Sequence, residues 1–230
     1  MITLSTRELL GLLGDALPFV STDKDDVTHN CVRVEWSADH ERLFMMATNR
    51  VQAVRTWWDP DFEEVDSEET FLYGTDGTPP FSVRVPTINA KSIVSAFKLA
   101  DKLAYAPVTL TVIPDNVVAN ISRLKIERAA AGDLWPALTM HVTGRGAPIA
   151  ENGDPNEIDI HGVIDRIGSV PLTGVLGVAL SPKLLGNFAK VERHGAMLMN
   201  FSSNAPGAPV FVRMGVRFDG ITYQMKVDRA

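Results

Sequence analysis

The sequence contains a single cysteine, Cys31, so the chain can form no internal disulfide bond. Proteins of oxidising compartments usually carry paired cysteines, and we therefore expect a reducing, cytoplasmic location. No apolar run reaches the roughly 18 residues that a membrane-spanning helix needs. Residues 1–5 also lack the basic and apolar regions of a signal peptide. The sequence thus predicts no association with a membrane.

The sequence also lacks the patterns of common catalytic and metal sites. Its five histidines show no metal-ligand spacing with one another or with Cys31. Neither a Gly-x-x-x-x-Gly-Lys-Ser/Thr phosphate loop nor a Gly-x-Ser-x-Gly nucleophile elbow occurs. Cys31 lies in an alternating apolar run, which favours a buried strand thiol over a nucleophile. We therefore expect no catalytic residue, no metal, no cofactor and no enzyme activity.

Excess positive charge is absent as well, because the 230 residues carry a formal net charge of −6. This balance argues against a generic polycationic nucleic-acid binder but allows a local basic surface on an acidic body. Acidic residues crowd into 59–69, where they could form a metal site or a solvated loop. The second interpretation is favoured, because no helix or strand frame fixes these carboxylates as ligands.

Helix signals occur at three places. Ser5 and Glu8 form a capping box in front of leucines at helical spacing. A second helix is predicted over 90–103 with Asn89 as its cap, and a third over 181–193.

Strand signals fill much of the remaining sequence and predict an α+β fold with antiparallel sheets. The predicted strands are 2–4, 31–36, 43–57, 81–86, 107–113, 117–123 with 124–130 continuing the sheet, 196–201, 210–214 and 216–226. Residues 143–157 are predicted to be a loop, and 158–167 could be a short helix or a strand.

Two predicted helices carry matching basic stripes. Lys91, Ser95 and Lys98 share one helix face, and Lys183, Asn187 and Lys190 repeat their spacing in the later helix. Similar strands follow both helices, which indicates a diverged repeat of helix, hairpin and further strand. Lysines on an amphipathic helix can be its solvated face alone. Two equivalent basic helices in an acidic protein favour contact with phosphates by point charges.

At this point the sequence resembles the DNA sliding clamps, the family of the bacterial DNA polymerase III β subunit and its phage relatives. The resemblance lies in ordered segments: 2–17, 43–50 (Leu-Phe-Met-Met-Ala-Thr-Asn-Arg), 126–136 (ending Gly-Asp-Leu-Trp-Pro), 178–185 and 221–227. The sequence departs from the family pattern at Asn49, Trp135 and Gln224, where the family has Asp, Phe and Pro.

The resemblance implies a DNA-clamp fold of repeated helix and antiparallel sheet units in two clamp-like domains, 1–136 and 137–230, of which the second could be reduced. It implies a polymerase processivity factor that encircles duplex DNA without reading its sequence, as a homo-oligomer for which a trimer is favoured. The expected DNA-binding residues are Lys91, Lys98, Lys102, Lys183, Lys190, Arg193 and Arg7.

The family also implies protein partners, namely a DNA polymerase, other proteins with clamp-binding peptides and a clamp loader, in a bacterial cell and possibly from a phage gene. Tyr223 and Met225 occupy the positions that border the family's peptide pocket, although both could be ordinary strand residues. The alternative function is a clamp-fold accessory or regulatory protein of replication or recombination that binds a partner protein without encircling DNA.

Overall fold

The computed structural model describes residues 1–37, 39–62, 74–75, 77–98, 104–114, 121–130, 136–146, 158–171, 179–203 and 205–225. Four α-helices occur in these ranges: α1 (Thr6–Ala16), α2 (Thr87–Phe97), α3 (Ile160–Gly168) and α4 (Pro182–Phe188). The strands are β1 (Ile2–Ser5), β2 (Cys31–Ser37), β3 (Arg42–Thr48), β4 (Ala53–Trp58), β5 (Gly74–Thr75), β6 (Phe81–Pro86), β7 (Pro107–Pro114), β8 (Ile121–Arg128), β9 (Leu138–Gly146), β10 (Met197–Phe201), β11 (Pro209–Met214) and β12 (Phe218–Tyr223). The predicted α+β class is confirmed.

The twelve described strands form one antiparallel sheet in the order β10-β11-β12-β4-β3-β2-β6-β9-β8-β7-β1-β5. Three times, a helix is followed by three strands: α1 by β2–β4, α2 by β7–β9 and α4 by β10–β12. The last of these units joins the rest of the sheet through β12, which pairs with β4 from Phe218↔Thr56 to Ile221↔Ala53. Strand β9 pairs with β8 from Leu138↔Arg128 to Arg145↔Ile121, although it follows the predicted domain boundary at 136.

The start of α1 follows the sequence prediction closely. The Ser5 hydroxyl accepts a hydrogen bond from the backbone N–H of Glu8 at 3.1 Å, which satisfies one free donor of the first helical turn. Leu9, Leu12 and Leu13 then lie in the core, where each is at most 1% exposed. Local capping and apolar spacing were therefore sufficient to place this helix.

The core has two layers, one on each face of the sheet. The larger contains α1 and α2 with the inward side chains of β3, such as Leu43 and Met45. Phe44 and Met46 point to the opposite face and pack with Ile160 and Ile164 of α3. Because successive strand residues alternate between faces, α3 lies on the side of the sheet away from α1 and α2.

The sequence left 158–167 open between a short helix and a strand, and the structure shows the helix α3 there. Asp159 precedes α3, and its side chain accepts a hydrogen bond from the N–H of Gly162 at 3.0 Å. The helix is held on the sheet by Arg55, which pairs with Asp165 at 2.6 Å, and by His161, which lies 3.2 Å from Glu35. Burial alone would raise the pKa of Glu35, but the hydrogen bond from His161 and the charge of Arg33 lower it.

The predicted single strand 43–57 was wrong, because a tight turn divides it into β3 and β4. The Asn49 side chain accepts hydrogen bonds from the N–H groups of Val51 at 3.1 Å and Gln52 at 2.7 Å. Arg50 has a φ of 71°, in the left-handed region. An asparagine that caps its own turn supplies the bend without glycine or proline, which is why sequence patterning missed it.

Three further boundaries differ from the predictions. Helix α2 begins at Thr87 rather than after Asn89 and ends at Phe97, because Lys98 has an extended backbone. Helix α4 ends at Phe188 rather than near Arg193, and a 3-10 turn, Glu192–His194, follows. Residues 143–146 belong to β9 rather than to a loop, and 147–157 lie outside the described residues.

Cys31 is buried in β2, as predicted, and its thiol donates a hydrogen bond to the carbonyl of Thr28 at 3.1 Å. Among the described helices, none is both long and apolar enough to cross a membrane. Most of the acidic stretch 59–69 lies outside the described residues. Of its described part, Asp59 is buried and pairs with Arg42 at 3.0 Å.

Candidate nucleic-acid interface

A wide groove of about 1480 Å³ lies between α2 and α4. Its floor is the chain segment that follows α1, from Leu17 to Cys31, and the turn at Asn49 and Val51 closes one side. We call this feature the α2–α4 groove. Small-molecule sites usually occupy about 300–1,000 Å³, so this volume suits a larger ligand.

The α2–α4 groove is basic. Six cationic side chains line it: Lys24, Arg84, Lys91, Arg145, Lys183 and Lys190. The described lining residues include no aspartate and no glutamate. The side chains of these lining residues therefore carry a net positive charge, in a chain whose net charge is negative.

Helix α2 presents Lys91 to the groove because its other face belongs to the core. Ala90, Ile93 and Phe97 are each at most 1% exposed, whereas Lys91 is exposed. The spacing of these residues places the lysine away from the buried side.

Helix α4 is fixed by one aromatic anchor. Phe188 is fully buried and packs against Phe19, with ring centroids 4.8 Å apart, and against Phe218 at 6.3 Å. Gly220 of β12 allows this approach, because a Cβ there would lie 2.9 Å from the Phe188 ring. The short helix is therefore seated at the junction between β12 and β4.

The orientation of α4 is set by hydrogen bonds from the β3–β4 turn. The Gln52 side chain is buried, donates to the Leu184 carbonyl at 3.0 Å and accepts from the Asn187 amide at 2.8 Å. Asn187 in turn accepts from the Lys190 ammonium at 3.4 Å. This chain of contacts holds Lys190 on the groove side of the helix.

A buried ionic cluster joins α1 to the 3-10 turn after α4. Asp15 is 3% exposed, and its Oδ2 lies 2.7 Å from both Arg193 Nε and His194 Nε2. Arg193 also pairs with Glu8 at 3.0 Å. Burial works to lower the pKa of Arg193, but the two carboxylates outweigh it and raise that pKa. A Cβ at Gly11 would lie 2.7 Å from the Arg193 guanidinium, so this glycine permits the guanidinium to cross α1.

The predicted DNA-binding residues divide into groups. Lys91, Lys183 and Lys190 all line the α2–α4 groove, although the first lies on α2, the second on α4 and the third just after α4. Lys98 is exposed at the end of α2 but does not line the groove. Lys102 lies outside the described residues.

The two predicted arginines lie elsewhere. Arg7 is exposed, donates a hydrogen bond to the Tyr105 hydroxyl and lies 5.5 Å from the centre of that ring. Arg193 is engaged by Asp15 and Glu8 within the chain, as described above. The charge of Arg193 therefore joins the 3-10 turn after α4 to helix α1.

Three basic residues of the groove were not predicted from the sequence. Lys24 lies in the loop after α1, Arg84 lies in β6 and Arg145 lies near the end of β9. Arg84 and Arg145 are direct partners in the β6–β9 ladder. Only the strand pairing brings them together, so no spacing within one element could have indicated them.

The predicted peptide-binding residues lie at the end of the last strand. Tyr223 is half-buried and pairs with Pro209 of β11. Met225 is 46% exposed, and its backbone N–H donates to the Ala179 carbonyl at 2.8 Å. No cluster of three histidine, cysteine, aspartate or glutamate side chains suited to a metal occurs in the described part of the chain.

The search of solved structures is the comparison that shows the fold. No family model and no curated protein matches the sequence. Among solved structures, the DNA polymerase III β subunit of Thermotoga maritima is similar, with a TM-score of 0.60, 12% identity and coverage of 100% of this chain and 65% of that one. A β subunit from Eubacterium rectale has a TM-score of 0.62 and 11% identity, with coverage of 97% of this chain and 64% of that one. The β clamp of Helicobacter pylori bound to a DNA ligase peptide has a TM-score of 0.55 and 10% identity, with coverage of 100% of this chain and 67% of that one.

These likenesses show a clamp fold across the whole chain at low sequence identity, as the sequence resemblance predicted. The chain spans about 65% of the length of these structures, or about two of three clamp domains.

Proposed function

Starting from the fold of the bacterial β sliding clamps, we propose that this chain is a DNA sliding clamp, a processivity factor that surrounds duplex DNA and holds replication proteins on it. The observation that carries the proposal is the basic α2–α4 groove, which Lys91, Lys183 and Lys190 all line. These lysines contact phosphates as point charges, without reading bases. Such contacts are weak individually and depend on salt, which allows the protein to move along DNA.

The proposed assembly is a homo-oligomeric ring. Among the described strands, β10 forms one end of the sheet and the short strand β5 the other, so within the described part of the chain both ends offer backbone groups to a neighbouring chain. Met197 and Leu198 of β10 are 41% and 58% exposed, which suits burial between chains. Since the chain has about 65% of the length of β subunits, we favour three copies in the ring.

The proposed partners are a DNA polymerase, other proteins with clamp-binding peptides and a clamp loader. The Helicobacter pylori clamp was solved with a DNA ligase peptide. By analogy, we propose that Tyr223 and Met225 border a peptide site here, at the end of β12.

The second candidate is a clamp-fold accessory protein that binds a partner without encircling DNA. One observation favours it: the last unit, α4 with β10–β12, joins the sheet of the same chain through β4. That unit therefore makes its strand pairing at β12 without a second copy.

Solution mass separates the two candidates. Multi-angle light scattering of the purified chain across a concentration series is expected to show a stable trimer, because an open edge such as β10 gains hydrogen bonds and apolar burial on pairing. A variant with Leu198→Lys is expected to weaken that assembly, since a charge on an edge strand opposes pairing. A strict monomer at every concentration would favour the accessory protein.

A further inference from the structure

The α2–α4 groove has an apolar surface that contact with phosphates does not explain. Val27, Val51 and Ile88 line it and are 60%, 46% and 74% exposed. They come from three elements: the loop after α1, the β3–β4 turn and the first turn of α2. Large aliphatic side chains exposed together in one concave surface are typical of a site for an apolar partner. We call these three residues the aliphatic patch.

The aliphatic patch lies among the groove's cations. Ile88 and Lys91 are neighbours on one face of α2, three residues apart. Lys24 and Val27 have the same separation in the floor loop. A complementary ligand therefore carries aliphatic groups and negative charges side by side. Duplex DNA supplies the charge but presents sugars and phosphates to the patch.

Two other ligand classes fit less well. The groove's volume of about 1480 Å³ exceeds that of ordinary small-molecule sites. Single-stranded nucleic acid is usually held by bases that stack on aromatic rings. The described residues that line the groove include no phenylalanine, tyrosine or tryptophan.

We propose that the α2–α4 groove also binds an acidic amphipathic helix of a partner protein. The apolar face of that helix covers the aliphatic patch, and the carboxylates of the helix pair with Lys91, Lys183 and Lys190. Helix-in-groove recognition uses apolar anchors at successive turns in this way, and charge complementarity sets orientation and association rate. Because the helix would pair with the same lysines as DNA, the two ligands would compete. This competition rests on the proposed clamp function, whereas the docking of the helix does not.

The probe is a fluorescent peptide of about 18 residues, roughly 27 Å as a helix, with leucines along one face and glutamates beside them. A control peptide has the same composition in an order that spreads its leucines around the helix. Anisotropy is expected to show binding of the amphipathic peptide alone. The substitutions I88S and V51S are expected to weaken it about tenfold each, because each removes apolar surface that the bound peptide would cover. K91E is expected to weaken both peptide and duplex DNA.

Affinity for the peptide and affinity for duplex DNA are measured separately, so that failure of the docking and failure of the clamp proposal can be distinguished. Both serine variants are expected to keep their affinity for a duplex, since the proposed DNA contact uses none of the aliphatic patch. Equal binding of the two peptides, or full peptide affinity in I88S, would overturn the inference. Tighter binding of a single-stranded oligonucleotide that is lost in I88S would assign the patch to nucleic acid instead. Peptide binding without any duplex binding would overturn the clamp proposal and leave the docking intact.

Discussion

Reversing the charge of Lys91, Lys183 and Lys190 together is expected to abolish binding of duplex DNA while the fold remains intact. The three side chains are exposed, and the hydrogen bond from Lys190 to Asn187 is long at 3.4 Å, so reversing their charge is expected to affect the fold little. Each lysine that contacts a phosphate releases counterions. Single substitutions to glutamine are therefore expected to lower the slope of log K against log salt by about one unit each.

The measurement is fluorescence anisotropy of a labelled duplex over a salt series. Arg166→Glu is the matched control, because Arg166 is an exposed cation on α3, across the sheet from α2. This control is expected to bind as tightly as the native chain. If the triple reversal left affinity and salt slope unchanged, the α2–α4 groove would not be the DNA surface.

Replacing Asp15 by alanine is expected to destabilise the protein by about 3–5 kcal/mol, the usual effect of removing one member of a buried ion pair. The substitution leaves Arg193 and His194 without the buried carboxylate that they share, and Thr56 loses a hydrogen bond of 3.1 Å. Because these groups connect α1 with the turn after α4, the unit formed by α4 and β10–β12 should loosen first.

Urea denaturation followed by circular dichroism measures the free energy of unfolding for this variant. Asp165→Ala supplies the comparison, since Asp165 pairs with Arg55 at 2.6 Å but its side chain is 62% exposed. An exposed ion pair contributes about 0–1 kcal/mol. Equal losses in the two variants would show that the Asp15 cluster does not hold the units together.

Features set by neighbouring residues were predictable from the sequence, and those set by distant contacts were not. The capping box at Ser5 and the lysine face of α2 follow from spacing within one element. The ion pairs of Arg193 were not predictable, because Glu8 and Asp15 belong to a helix at the other end of the chain. The same reason accounts for Arg84 and Arg145, which become neighbours only through the β6–β9 ladder.

The β3–β4 turn and the position of α3 could not be predicted from the sequence pattern, for two further reasons. Asn49 forms the turn through its own side chain inside an otherwise apolar run. The amphipathic pattern of α3 indicates a buried face but not which side of the sheet receives it. That choice depends on the apolar outer side chains of β3, β4, β11 and β12, such as Phe44 and Ile221.

Topological retention on DNA tests the central claim most directly. The chain is mixed with a linear duplex biotinylated at both ends, and streptavidin is added either before or after the protein. In about 0.5 M salt, where phosphate contacts are screened, the account predicts retention only when streptavidin comes second, and release when the duplex is cut. Equal loss in both orders, or retention that does not depend on the ends, would contradict a ring around DNA.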